Sequence, residues 1–225
     1  MNYLLNIHTA TENAIVNICD GPKVLSTLAN SDPKQHASFL HTAVHQILHA
    51  NDIKPKDLKA IGVTGGPGSY TGIRVGLATA KGLCYALDIP LLLFNTLEVM
   101  AFSAIEHISN TKALYCPMID ARRQEVFTGV YDHQLNEMSH PSAVILNENS
   151  FGDLLEEHLI YFFGSGSLKF KQMAKNTSAM FCEERLNITS QSLCNFSRAK
   201  FQSGDFENPS QARPFYLKDF HLEKN

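Results

Sequence analysis

The densest run of chemistry-bearing residues is Gly65-Gly66-Pro67-Gly68-Ser69-Tyr70-Thr71-Gly72-Ile73-Arg74-Val75-Gly76. It lies between an apolar strand-like run, Leu58–Thr64, and a helical stretch, Ile73–Leu87. Glycines at such a junction permit positive φ and close backbone approach. Loop amides and a helix N-terminus favour an anion. Two phosphate-binding patterns fail here. A Walker A loop needs Gly-Lys-Ser/Thr, but Ile73 follows Gly72; a dinucleotide fingerprint needs G-x-G-x-x-G, but Gly66, Gly68 and Gly72 span one residue too many. An anion cradle, a structural turn and a docking hinge all stay open. Along the helix that follows, Gly72, Gly76 and Ala80 stand four apart, a ridge of small residues that another helix can approach closely.

Other candidate groups are weaker. His41, His45 and His49 recur at i, i+4 and i+8, a spacing at which two imidazoles can share a metal. With no H-E-x-x-H pattern they read as a polar flank beside an apolar stripe, and no metal is expected. No G-x-S-x-G elbow and no cysteine–histidine pattern of any specificity supports a protease. Arg122 and Arg123 can bind a phosphate or pair with Glu125 across a turn, and pairing is the simpler reading. The five cysteines are odd in number and lack C-x-x-C spacing, which argues against a disulfide framework or a zinc knuckle.

The elements that must position these groups repeat in order. The first half reads strand (Tyr3–Ile7), strand (Asn13–Cys19), strand (Lys23–Ala29), then a helix with Phe39, Leu40, Ala43, Val44, Ile47 and Leu48 on one stripe. Strand Leu58–Thr64, helix Ile73–Leu87, strand Pro90–Phe94 and helix Thr96–Ile108 complete it. The second half repeats the pattern through strands at Ala113–Ile119, Glu125–Tyr131, Ala143–Leu146, Ile160–Phe163 and Ala179–Phe181. Its helices fall at Asn149–Glu157, Ser167–Ala174 and Thr189–Phe201. Each half spells βββαβαβα, a ribonuclease-H-like half-fold. Two in tandem give the α/β actin-like, Hsp70-like and sugar-kinase-like two-lobed architecture. The expected lobes are residues 1–107 and 108–225, with the tail from about 208 folding back on the first.

Composition sets the outer limits. Hydrophobic residues make up 44% of 225 and charged residues 18%, a globular balance; the net charge of -3 is not the footprint of a chain that grips nucleic acid by itself. The longest apolar stretch, Ile89–Phe94, is too short to span a bilayer, and the N-terminus lacks a basic segment followed by an apolar one. The expected location is the cytoplasm, with no membrane partner.

At this point the chain resembles a family. TGGPGSYTGIRVG at Thr64–Gly76 is similar to the signature of the tRNA threonylcarbamoyladenosine biosynthesis protein TsaB, or YeaZ, family. Asn6–Ala14, Gln35-His36, the Met118–Val126 run with Asp-Ala-Arg-Arg, and Pro214–Lys218 extend the likeness over nearly the whole length. The resemblance implies a non-catalytic partner subunit in threonylcarbamoyl transfer to the adenosine beside the anticodon of tRNAs reading A-starting codons. Its implied partners are a TsaD-type paralogue, a TsaE-type ATPase and a second copy of itself, with tRNA met only through the complex. It also implies an interface built from the first two helices: His36, Phe39, Leu40, Ala43, Val44, Ile47, Gly72, Ile73, Gly76, Leu77, Ala80 and Leu83. On that reading Ala80→Glu abolishes pairing and leaves the monomer folded.

Actin-like ATPases place one Asp on the first strand and another at the start of the second lobe. Here His8 stands at the first position and Asp120 at the second. An imidazole is a poor Mg²⁺ ligand beside a carboxylate. The candidate nucleotide or anion set is Thr9, Thr11, Gly66, Gly68, Ser69, Thr71, Asp120 and Arg122, with ATP or ADP expected only in the assembled complex. An independent actin-like ATPase or kinase is the alternative function. No catalytic residue is assigned.

Overall fold

A computed structural model describes residues 2–182 and 186–218. Two five-stranded mixed sheets form, one from each half. The first half runs β1 (Tyr3–His8), β2 (Ala14–Asp20), β3 (Lys23–Asn30), α1 (His36–Ala50), β4 (Leu58–Thr64), α2 (Tyr70–Leu87), β5 (Leu91–Phe94) and α3 (Thr96–Ile108). The second runs β6 (Leu114–Asp120), β7 (Glu125–Tyr131), β8 (Glu137–Ile145), α4 (Gly152–Glu157), β9 (Ile160–Phe163), α5 (Ser167–Lys171), β10 (Ala179–Phe181) and α6 (Ser190–Ser203). Strand orders are β3-β2-β1-β4-β5 and β10-β9-β6-β7-β8. In each, three antiparallel strands form a meander and the rest add in parallel through helical crossovers, as the repeated order predicts.

Local chemistry explains the boundaries. The strands β1, β2 and β4 are buried along most of their length and read as apolar runs. Ser69 caps α2 by accepting from the Gly72 amide, and Asn95 caps α3 by accepting from the Leu97 amide. The strand β8 is longer than the Ala143–Leu146 run suggests. It is an edge strand whose N-terminal part is largely polar and exposed, with Pro141 in it, so neither apolar alternation nor burial marks it.

The strands divide between the halves, but the closing helices do not follow that division. The helix α6 packs on β1, β2, β3 and β5 of the first sheet, while α3 packs on β6 and β7 of the second. Together they form a middle layer whose core joins Leu4, Phe94, Leu97, Met100, Tyr115, Phe163, Leu193 and Phe196. A second core lies between the first sheet and α1 and α2, and a third between the second sheet and α4 and α5.

The ridge on α2 faces inward. Gly72, Gly76 and Ala80 are buried, and Ala80 has no exposed surface. A Cβ on Gly72 would overlap the carbonyl oxygen of Thr9, and one on Gly76 would overlap the Thr9 hydroxyl. The small residues therefore seat α2 on the end of β1 instead of offering a surface to another chain. On the opposite side of the helix, a Cβ on Gly82 meets nothing within 4 Å. The two positions predict opposite outcomes in urea unfolding. Gly72→Ala should lower stability by about 1–3 kcal/mol or prevent folding through overpacking. Gly82→Ala should raise it by about 0.5–1 kcal/mol, because a helix-interior glycine is replaced without a clash.

Candidate functional site

The first-lobe candidates converge where the β1–β2 turn meets the glycine loop. The buried Thr9 donates its hydroxyl to the Gly72 carbonyl at 2.7 Å. The Ser69 amide donates to the Ala10 carbonyl at 2.7 Å. Gly68, at φ 148°, comes so close that a Cβ would overlap that same carbonyl. Thr11 lies half-buried at the turn, while Ser69 and Thr71 are exposed at the start of α2.

Several of the loop's backbone groups are engaged within the chain. Gly65 N–H donates to Phe94 O at 2.8 Å, and Gly66 O accepts from Thr96 N–H at 2.8 Å. The Gly72 amide is held by the Ser69 hydroxyl at 3.2 Å. The C-terminal segment then crosses the loop as a strap. Glu207 N–H donates to Leu91 O, Lys81 donates to Ala212 O at 3.0 Å, and Phe215 N–H donates to Gly65 O at 2.7 Å. A Cβ on Gly66 would lie 2.6 Å from Phe215 O. The strap continues to the second lobe, where Lys218 meets the Glu125 carboxylate at 2.8 Å. The tail thus folds back on the first lobe, and the loop's glycines admit it.

His8 is buried at the end of β1, with Nδ1 3.0 Å from the Thr64 hydroxyl and Nε2 2.8 Å from the Thr11 hydroxyl. Burial, assisted by the neighbouring His36, lowers its pKa to about 3. The ring is neutral at pH 7, and both nitrogens are engaged by hydroxyls. This donor set does not fit Mg²⁺: a neutral imidazole held by two hydroxyls stands where a carboxylate would be needed. Among the described residues, no group of three or more His, Cys, Asp or Glu is gathered within metal-binding range.

The second-lobe candidates sit apart. Asp120 ends β6 and accepts from Lys169 Nζ at 2.7 Å and from the Arg122 amide at 2.6 Å. Slight burial works to raise its pKa, but the Lys169 ammonium and the Arg122 amide outweigh that and hold the carboxyl below its ordinary value. Arg122, at φ 69°, forms the β6–β7 turn. It does not pair with Glu125, whose carboxylate Lys218 holds. Among the described residues, no hydrogen bond or ion pair joins Asp120 or Arg122 to Thr9, Thr11, Gly66, Gly68, Ser69 or Thr71.

The residues expected at an interface divide in two. Leu40, Ala43, Ile47, Gly72, Ile73, Gly76, Leu77 and Ala80 belong to the monomer's interior, as does His36, whose Nε2 has no hydrogen-bond partner. This corrects the expectation for Ala80→Glu: a carboxylate there enters the core and should unfold the monomer. Val44 and Leu83 line an open apolar groove of about 740 Å³ between α1 and α2, and Phe39 is half-buried on α1. The groove is completed by Ala37, His41, His45, Leu48, Pro55, Val75, Ala78, Thr79 and Gly82. Its signal in the sequence was the second stripe, His41-Val44-His45-Leu48 against Val75-Ala78-Thr79-Gly82, which the glycine ridge overshadowed.

Fold and site define an α/β protein of the actin-like ATPase fold, with its glycine loop crossed by its own C-terminal strap. A structure titled as an uncharacterized protein with similarity to peptidase YeaZ from Pseudomonas aeruginosa superposes with a TM-score of 0.84 at 22% identity, covering 97% of this chain and 100% of that one. The ethanolamine utilization protein EutJ from Carboxydothermus hydrogenoformans gives 0.52 at 8% identity, over 87% of this chain and 90% of that one. The family model described as TsaD, tRNA N6-adenosine threonylcarbamoyltransferase, matches residues 23–202. The chain belongs to that family, on its TsaB (YeaZ) side. The TsaB protein of Bacillus subtilis is 36% identical over 64% of this chain and 62% of its own length. That of Escherichia coli is 31% identical over 61% and 58%. The matches therefore span about six tenths of these relatives. No helix among the described residues is long and apolar enough to cross a membrane.

His8 makes stability depend on pH. As pH falls below 6.5 the unfolded chain's imidazole takes up a proton, while the folded one does so only near pH 3. The unfolded state binds more protons across that window, so stability falls as pH falls, by on the order of a few kcal/mol. Thermal midpoints measured between pH 7 and pH 4 should drop, and His8→Asn should flatten the slope.

Proposed function

We propose that this chain is a non-catalytic partner subunit in the biosynthesis of threonylcarbamoyladenosine in tRNA. It acts by docking a TsaD-type paralogue, with a TsaE-type ATPase joining the complex. The observation that carries the reading is the groove between α1 and α2. It is apolar, open and lined by two helices seated on the first sheet, whereas the glycine loop is crossed by the chain's own strap. An apolar groove between surface helices suits the helical face of another protein. The same face can pair two copies of the chain. The names of the relatives support the pathway, and the side-chain chemistry supports the division of labour: the neutral His8 and the engaged loop leave transfer chemistry to the partner. Any ATP or ADP would then belong to the assembled complex, which operates in the cytoplasm.

Co-purification with the TsaD-type paralogue, followed by tRNA modification assayed with and without this chain, tests the reading. Gly82→Glu should keep the wild-type circular dichroism, with a thermal midpoint no lower than that of the wild type. In light scattering it should lose pairing, and modification should fall with it. Persistent pairing of a folded Gly82→Glu protein would sink the groove as the docking face.

A further inference from the structure

Beyond the groove, one surface combines exposed rings with cations. Tyr70, in the first turn of α2, stacks on Tyr216 of the strap, with ring centroids 5.5 Å apart and planes 30° from parallel. Arg74 donates to the Tyr70 hydroxyl at 2.6 Å, and its guanidinium carbon lies 4.8 Å from the centre of the Tyr70 ring. Tyr216 keeps 47% of its surface exposed and the adjacent Phe215 keeps 41%.

The local charge runs against that of the whole chain. The net charge is -3, yet residues 65–87 and 208–218 contain Arg74, Lys81, Arg213 and Lys218 and no Asp or Glu. Lys81 turns to the Ala212 carbonyl, and Lys218 meets Glu125. Arg74 remains as the exposed cation beside the rings, and Arg213 is exposed three residues before Tyr216 on the strap. Exposed tyrosine rings with a guanidinium laid over one of them suit an unstacked nucleobase, which stacks on either kind of face while its phosphates meet the cations. A protein partner would call for a contiguous apolar surface, and the groove between α1 and α2 already supplies one elsewhere.

We propose that the Tyr216–Tyr70–Arg74 surface takes an unpaired base of single-stranded RNA, with Arg74 meeting a flanking phosphate. The proposal rests on the reading above in that the RNA is the tRNA being modified. It adds a direct contact made by this chain inside the complex. The strap acquires a second role as well, since the backbone that fills the glycine loop also positions Tyr216.

The chain contains no tryptophan, so tyrosine emission reports stacking directly. The full-length chain, titrated at low salt with a labelled anticodon stem-loop RNA, should quench tyrosine emission and raise the label's anisotropy. Tyr216→Ala should weaken binding about tenfold and Tyr216→Phe should leave it unchanged. Arg74→Ala should weaken binding and reduce its salt dependence. Absence of binding by the wild type, or unchanged binding by a folded Tyr216→Ala protein, would overturn the proposal. So would Tyr216→Ala that loses the TsaD-type paralogue while keeping RNA, which would make this a protein contact. Pairing with the paralogue, measured on the same proteins, separates the two readings. Wild type that pairs but binds no RNA defeats only this inference; wild type that fails to pair defeats the proposed function.

Discussion

The structure turns on a single close approach, that of α2 to the turn between β1 and β2. Backbone carbonyls of Thr9 and Ala10 occupy the space where side chains at Gly72 and Gly68 would be. Because no side chain intervenes, the Thr9 hydroxyl reaches the Gly72 carbonyl and the Ala10 carbonyl reaches the Ser69 amide. That contact sets the axis of α2 and the shape of the loop before it. It also decides which stripe of α2 faces the sheet and which is left to line the groove with α1. Gly65 and Gly66 extend the principle one step further, admitting the returning strap against bare backbone.

The polar groups at the strand ends of the two lobes bond mainly to one another. In the first lobe, hydroxyls and an imidazole satisfy one another where charge would be needed for a metal. In the second, Asp120 is held by Lys169. With both polar ends closed on themselves, the features left open are surfaces: an apolar groove on one side and an aromatic, cationic patch by the strap.

Much of the fold was legible in the sequence because its signals are local. Continuous apolar runs mark the buried strands, and the order of elements repeats. The direction of the Gly72-Gly76-Ala80 ridge was not legible. Small residues in register indicate a close approach, but a sheet and a partner helix satisfy that pattern equally. The partner of Glu125 was misread for a related reason: Arg122 is near in sequence, whereas Lys218 arrives from the far end of the chain. The exchange of α3 and α6 left no trace in periodicity either, since a helix buries the same stripe whichever sheet it covers.

That exchange has a consequence for how the protein is made. The inner face of the first sheet is covered by α6, which lies near the end of the chain. During synthesis the first five strands emerge long before Leu193, Cys194 and Phe196 do. The nascent first half therefore carries an apolar sheet face without its cover until α6 has been made. Early folding intermediates with exposed apolar surface associate readily, so the chain depends on delayed closure or chaperone shielding.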